Sequence, residues 1–296
     1  MAFDVERIRT SSGKVAKFLR KNSKRPTSDA IHKLRTSTRS LETTFTTLGL
    51  DEKGKGRRLL RGLRDVRKRA GKVRDMDVLT ADALTVQEQG EQDCLIRLLE
   101  HLGTERDRSA RKLRRLIATA DPKLRQKLER SSRRLEKLLK SAKENPKNSD
   151  AVSATMAKAL QLSSALNSPA RLTRKNLHPY RLKVKELRNV LQMSDRADET
   201  ELVKKLGEVK DAIGEWHDWD ELIAIGGKLL DHGPSCRVMK HLKATNDEKY
   251  ELALSLVGDL RRNYLKAPAS KRKAGEARKA PLSTSVLSAT SAVAQQ

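Results

Sequence analysis

The sequence predicts an all-α fold built from two related halves. Leu, Ala, Lys, Arg and Glu dominate its 296 residues, while aromatic residues make up only 3%, as expected for a helical protein. Apolar residues recur at intervals of three and four, the spacing of bundle helices. In addition, one ten-residue motif occurs twice, beginning at His32 and at His178. A repeat of this length implies a duplicated unit.

Helix caps and helix-breaking residues predict where the first two helices begin and end. The first covers about 3–21, because Arg25-Pro26 disfavours further helix. Thr27 and Ser28 are N-cap residues for the second helix, which carries the first motif and ends near Gly49.

Similar signals divide the rest of the first half. A third helix is expected over about 53–73, and Asp75 is expected to cap the next one. Gly90 then precedes a long helix over about 91–119. Asp121-Pro122 has the cap-then-proline order of a helix start, and that helix reaches about 143.

The second half repeats this scheme after a linker at 144–150 that contains Asn, Pro and Ser. The first repeat is thus expected over about 3–143 and the second over about 151–264. A disordered basic and low-complexity tail is expected over 265–296. Helices of the second half are expected at about 151–166, 169–193, 198–214, 218–231 and 234–264.

The repeated motif has the form H-x-x-R-x-x-x-[R/K]-x-L. At about 100° per residue, its first three polar positions fall within roughly 60° of each other on a helix. One imidazole and two cations therefore share one helix face in each copy: His32, Arg35 and Arg39, and again His178, Arg181 and Lys185.

The duplication continues beyond this motif. Residues 63–77 match 206–220 at an offset of 143, and residues 97–102 match 237–242 at an offset of 140. The offset of the His motif is 146, so it decreases by three residues twice. Small loop deletions between two copies of about 140 residues explain this drift.

The charge is strongly positive and unevenly distributed. Sixty-four Lys and Arg against thirty-eight Asp and Glu leave +26. The segment 53–74 contains eleven cations and one acid, Asp65, and 106–140 contains fourteen cations and four acids. Long basic side chains can simply form a solvated helix surface. Surfaces normally mix both signs, however, so a polyanionic partner is favoured.

Among polyanions, one with phosphates but no bases fits best. Duplex DNA and structured RNA are contacted largely through phosphates, so a nucleic-acid backbone stays an alternative partner. Single-strand binders usually add aromatic stacking platforms, and this chain has few aromatic residues and no recognisable nucleic-acid-binding motif. Inorganic polyphosphate needs only a row of cations.

The paired motifs, each followed by a Leu-rich segment ending in Gly71–Asp77 or Gly214–Asp220, resemble the CHAD family, the conserved histidine α-helical domain. The resemblance covers about 3–264. It implies two four-helix-bundle-like halves related by pseudo-twofold symmetry around a basic central cavity, and binding of inorganic polyphosphate at polyphosphate granules. Some family members are fused to a triphosphate-hydrolysing domain with an E-x-E-x-K strand, which this sequence lacks, so it resembles a stand-alone member.

The resemblance also implies the site residues. The six motif residues are expected to line the cavity, and Pro179 suggests that His178 begins its helix. Lys183 and Arg188 extend the second basic face, and basic residues beside the first motif and in 53–74 add to the first. The candidate polyphosphate-binding residues are His32, Lys33, Arg35, Arg39, Arg61, Arg64, Lys68, His178, Arg181, Lys183, Lys185 and Arg188.

Catalysis has little support in the sequence. The two D-x-D pairs, Asp75/Asp77 and Asp218/Asp220, could hold Mg²⁺ against phosphate, which leaves a metal-dependent phosphohydrolase as a second alternative. Helix capping with ion pairs to nearby cations is the favoured interpretation. No nucleophile–base pair or P-loop is present. We therefore expect no enzyme activity and no cofactor.

The sequence also indicates the cellular setting. It contains no apolar run long enough to cross a membrane and no signal peptide. Cys94 and Cys236 show no metal-binding spacing and are expected to be buried thiols in a reducing compartment. We therefore expect a cytoplasmic protein, associated with polyphosphate granules, with no membrane partner.

Overall fold

A computed structural model describes residues 5–21, 25–50, 54–86, 92–119, 123–144, 150–193, 200–231 and 235–265. These residues form α-helices and contain no strand, so the all-α prediction is confirmed. The expected tail, apart from Leu265, and linker residues 145–149 lie outside them. The helices are α1 (Val5–Lys21), α2 (Ser28–Thr47), α3 (Gly54–Ala83), α4 (Gln92–Thr119), α5 (Lys123–Glu144), α6 (Asp150–Ala165), α7 (Arg174–Leu191), α8 (Glu201–Leu229) and α9 (Arg237–Leu260), followed by a π-helical turn at Arg261–Leu265.

The helices form two compact units. The first unit contains Val5–Leu138 and Glu215–Lys249, and it carries the first His motif. The second unit contains Leu139–Gly214 and the described residues from Tyr250 onward, and it carries the second motif. These boundaries differ from those of the sequence halves, because α5, α8 and α9 each contribute residues to both units. The division into repeats at 3–143 and 151–264 stays a prediction.

Apolar stripes form the interior of the first unit. Ile31, Leu34 and Leu41 of α2 are buried, as are Leu63 and Val66 of α3. A further cluster joins the end of α3 to α4 and to parts of α8 and α9. It is made of the following buried residues: Leu79, Ala83, Val86, Cys94, Leu98, Leu102, Trp219, Leu222, Leu230, Cys236, Val238, Met239 and Leu242.

In the second unit, α7 is held between α6 and α8. Tyr180 and Leu187 of α7 are buried, and so is Leu206 of α8. Arg261 fastens the loop between α6 and α7, donating hydrogen bonds from its Nε, Nη1 and Nη2 to the carbonyls of Leu166, Ala170 and Pro169 at 3.0, 3.1 and 2.8 Å. The second motif therefore lies on α7, a helix that is packed against its neighbours.

The predicted break at Asp75 is wrong. One helix runs from Gly54 to Ala83 through Asp75, and α8 likewise runs from Glu201 to Leu229 through the position of the second predicted break, at 214–218. Asp75 makes an ion pair with Arg35 of α2 instead of capping a helix. The apolar pattern continues past it to the buried Leu79, so tertiary packing maintains the helix where local signals suggested a stop.

The prediction that His178 begins its helix is also wrong. α7 begins at Arg174, and the backbone N–H of its N-cap Thr173 donates to Asn176 Oδ1 at 2.7 Å. Pro179 lies inside the helix, where its fixed φ fits but one backbone donor is lost. Thr27, which caps α2 through Oγ1 at 3.2 Å from the Ala30 N–H, is offset from Thr173 by the same 146 residues as the two histidines.

Candidate functional site

The first motif presents its polar residues on α2. His32 is exposed, while Arg35 and Arg39 are half-buried. The Arg35 guanidinium donates from Nη1 to Asp75 Oδ1 of α3 at 3.1 Å. It also lies over the backbone of Gly71, where a Cβ atom would be 3.9 Å from Arg35 Cζ, an ordinary contact distance. Thus α3 fixes Arg35 through an ion pair and through close packing.

An exposed row of cations on α3 borders this motif. Arg61, Arg64 and Lys68 are all exposed. At about 100° per residue they lie roughly 20–80° around α3 from Gly71, the residue that Arg35 covers. Lys33 on α2 is exposed and pairs with Asp29 at 2.6 Å. The structure therefore brings the motif face of α2 beside this row of cations on α3, whereas Lys33 lies about 160° around α2 from Arg35.

The second motif lies on α7 in the same relation to α8. His178, Arg181 and Lys185 are half-buried. Arg181 donates from Nε to the carbonyl of Lys210 at 3.0 Å. Its guanidinium covers Gly214 so closely that a Cβ atom there would be 2.2 Å from Nη2. Gly214 is equivalent to Gly71 in the repeat, and each glycine lies under the guanidinium group of its own motif arginine.

Two further candidates on α7 point in different directions. Arg188 lies seven residues after Arg181 and therefore on the same face. It covers Gly207, where a Cβ atom would be 3.4 Å from Arg188 Nε. Lys183 instead donates to the carbonyl of Ala165 at the end of α6, at 3.3 Å. Arg188 thus extends the motif face, whereas a binding role for Lys183 stays a prediction.

Ion pairs that local sequence patterns do not reveal hold the first unit together. Arg106 of α4 donates from Nε to Asp77 Oδ1 at 2.6 Å and from Nη2 to the Pro26 carbonyl at 3.0 Å. Arg67 Nε lies 3.1 and 3.0 Å from the two carboxylate oxygens of Glu42. The sequence offers one signal for the Glu42–Arg67 pair. When the two motif copies are aligned, Glu42 corresponds to Arg188.

Carboxylates gather where the end of α3 packs on α8 in the first unit. Burial raises the pKa of Asp82 to about 6, and repulsion from Asp218 and Glu215 adds to this effect. Burial likewise raises the pKa of Asp75, although Arg35 opposes the shift. The pKa of Glu221 is raised by burial and by the charge of Asp75. Asp75, Asp82 and Glu221 are thus more readily protonated than ordinary surface acids.

The D-x-D residues act as ion-pair partners in the first copy. Asp75 binds Arg35 and Asp77 binds Arg106, so the ion-pair half of the favoured interpretation is confirmed and the capping half is wrong. In the described part of the chain, no group of three or more His, Cys, Asp or Glu residues is arranged to hold a metal ion.

Comparison with known proteins connects this arrangement to a family. A family model described as CHAD domain matches residues 14–226. The solved structure of PptA from Streptomyces chartreusis covers 88% of this chain and 98% of its own, with a TM-score of 0.59 and 14% sequence identity, a likeness in fold. No curated protein matches the chain. Within the described ranges, no helix is long and apolar enough to cross a membrane.

Proposed function

The chain belongs to the CHAD family, and we propose that it binds inorganic polyphosphate without converting it, using the basic faces of α2 and α7. The observation that carries this proposal is that the motif arginine of each copy packs over a helical glycine and bonds to the neighbouring helix, Arg35 to Asp75 and Arg181 to the Lys210 carbonyl. Arg35 lies over Gly71 in the first unit and Arg181 lies over Gly214 in the second. The duplication thus maintains two preorganised guanidinium groups, each on a rigid helix.

The chemistry of these faces suits a chain of phosphates. Arginine can hold phosphate oxygens with two parallel hydrogen bonds, and Lys185 adds a compact charge. His32 and His178 add further N–H donors. Cations on packed helices lose little conformational entropy when they bind, unlike cations on unstructured segments. A net charge of +26 attracts any polyanion from a distance, and the faces then select among polyanions.

The aromatic residues favour polyphosphate over single-stranded nucleic acid. Tyr180, Trp216 and Trp219 are buried, so they offer no face on which a base could stack. We place the protein in the cytoplasm, in association with polyphosphate granules. That the two faces line one shared cavity stays a prediction.

Competition tests the choice of ligand. The protein is first saturated with fluorescent long-chain polyphosphate, and then unlabelled polyphosphate, tRNA or a 30-base-pair duplex is added at equal phosphate concentration. We expect polyphosphate to displace the probe at a far lower phosphate concentration than either nucleic acid. Displacement by tRNA or duplex at the same or lower concentration would contradict the proposal in favour of a nucleic-acid backbone.

A second assay tests the absence of catalysis. Long-chain polyphosphate is incubated with the protein and Mg²⁺, and released phosphate and chain length are followed. We expect unchanged chain length over hours. Phosphate release that Asp75→Asn abolishes would instead support the phosphohydrolase alternative.

A further inference from the structure

The two motif helices carry opposite charges at an equivalent position directly after the motif. The offset of 146 that aligns His32 with His178 aligns Glu42 of α2 with Arg188 of α7. The offset of 143 that aligns α3 with α8 pairs Arg64 with Gly207. The acid of one copy is thus a cation in the other. Arg67, which bonds to Glu42, corresponds to Lys210, and Gly207 stands where the first copy has Arg64.

In the first unit this position neutralises a cation. Arg67 Nε lies 3.1 and 3.0 Å from the two Glu42 oxygens. The side chains are only 12% and 20% exposed for Glu42 and Arg67, so solvent screens the pair weakly. Arg35 on the same face is also paired, with Asp75. Arg67 and Arg35 of the first unit therefore already have carboxylate partners.

In the second unit the same position adds a cation that lacks such a partner. Arg188 Nε is buried and has no hydrogen-bond partner among the described residues. Among the described acids of α7 and α8 in this unit, Glu186 pairs with Lys158 at 3.0 Å and Asp211 pairs with Lys210 at 2.7 Å. Arg188 is half-buried, and a buried guanidinium N–H without an acceptor is costly, so this group gains more from an anionic ligand than a cation that is already paired.

Arg188 also packs against α8, as Arg181 does. The Arg188 side chain packs over Gly207, where a Cβ atom would be in contact with Nε at 3.4 Å. Arg181 lies over Gly214, seven residues away on each helix, and a Cβ atom there would overlap its guanidinium group. At 1.5 Å per residue the two guanidinium groups are about 10 Å apart along α7, with Lys185 between them. A linear run of phosphates fits this row better than a single phosphate.

From this geometry we propose that the two faces bind unequally. The α7 face, with Arg181, Lys185 and Arg188, is the principal polyphosphate site, and Glu42 keeps the α2 face partly neutralised and weaker. This inference rests on the proposed function and adds that Arg188 determines which copy binds more tightly. Its ligand is a segment of several linked phosphates.

Single substitutions with matched charge controls test the inequality. Arg188→Gln removes one positive charge from the α7 face, and Lys175→Gln removes one from an exposed position on another side of α7. Glu42→Gln removes the neutralising acid, and Glu248→Gln removes an exposed acid of α9. Affinity for polyphosphate of defined length is measured by titration calorimetry at fixed salt, and folding is checked by circular dichroism.

We expect Arg188→Gln to weaken binding about tenfold or more, since a charge-assisted hydrogen bond is lost, and Lys175→Gln to weaken it less than about threefold. Glu42→Gln should strengthen binding several-fold, and Glu248→Gln should have the smaller effect. If wild-type protein binds but Arg188→Gln and Lys175→Gln lose affinity equally, the inequality is wrong while the proposed function stands. If wild-type protein does not bind polyphosphate, the proposed function itself fails.

An NMR measurement on the wild-type protein tests the same inference if a variant does not fold. The ¹⁵N resonance of Arg188 Nε, assigned with Arg188→Lys, is followed while tripolyphosphate is added. We expect it to shift at lower ligand concentration than the Nε resonance of Arg67, which Glu42 already holds. An unchanged Arg188 resonance at saturation would overturn the inference.

Discussion

Three helical glycines lie under arginine side chains from the motif helices. Gly71, Gly207 and Gly214 each lie under the guanidinium group of an arginine from the neighbouring motif helix. Glycine is costly inside a helix, by about 1 kcal/mol relative to alanine. At Gly214 the absence of a side chain makes room for Arg181, because a side chain there would occupy the place of the Arg181 guanidinium.

Gly214→Ala and Gly71→Ala form a matched pair that tests this role. The new Cβ at 214 would be 2.2 Å from Arg181 Nη2, so the flexible guanidinium must move and lose its bond to the Lys210 carbonyl. That loss of about 1.5 kcal/mol roughly offsets the gain in helix propensity. We expect polyphosphate affinity to fall several-fold while the free energy of unfolding changes by less than about 1 kcal/mol. Gly71→Ala, with 3.9 Å available, should keep its affinity; equal losses in both variants would contradict this role.

Asp77 tests the structural role assigned to the first D-x-D pair. Its side chain is 9% exposed and Arg106 is 24% exposed, so Asp77→Ala leaves a largely buried guanidinium unpaired. We expect the free energy of unfolding in urea to fall by about 3 kcal/mol. The control Asp29→Ala breaks the exposed pair with Lys33 and should cost less than about 1 kcal/mol. Asp77→Ala with wild-type stability would contradict the structural role.

At the scale of helices, the sequence predicts the features that depend on residues close together in the chain. The cap at Thr27, the buried stripe of α2 and the spans of α4 and α5 follow from residue types a few positions apart. The continuity of α3 through Asp75 does not, because the partner of that acid is Arg35, forty residues away. In the same way, the Glu42–Arg67 pair and the glycine under Arg188 depend on helix packing that no local pattern specifies.

The carboxylates between α3 and α8 predict a dependence of stability on pH. Burial and the charges of Asp218 and Glu215 raise the pKa of Asp82 to about 6, while Lys249 and Arg74 oppose them. The folded state therefore holds this proton more tightly than the unfolded state, whose Asp pKa is about 3.9. The contribution of Asp82 to stability is greatest below about pH 4 and is lost as pH rises through about 6.

Asp82→Asn should remove this contribution. We expect the variant and the wild-type protein to be about equally stable at pH 4, and the variant to be the more stable at pH 7. Urea unfolding at several pH values between 4 and 7 gives the comparison. A difference between the two proteins that does not change with pH would show that Asp82 titrates normally.

For the molecule as a whole, the charge of +26 is the dominant property. Neutralising several phosphates releases bound counterions, so the logarithm of the affinity should fall almost linearly with the logarithm of the salt concentration, by analogy with DNA. Titrations between about 50 and 200 mM NaCl measure the slope. Affinity that does not change over this range would contradict an electrostatic mechanism.

The most direct test of the central claim compares two sets of four charge removals. One variant changes the motif cations Arg35, Arg39, Arg181 and Lys185 to Ala, and the other changes four exposed cations of α4 and α5, Arg111, Arg115, Arg130 and Arg134. Both lose the same net charge, and both are checked for folding by circular dichroism. In titrations with polyphosphate of one defined length, the motif variant should lose most of its affinity, while the α4–α5 variant should stay within a few-fold of the wild-type protein. Equal losses in two folded variants would contradict the motif faces as the site and assign binding to general surface charge.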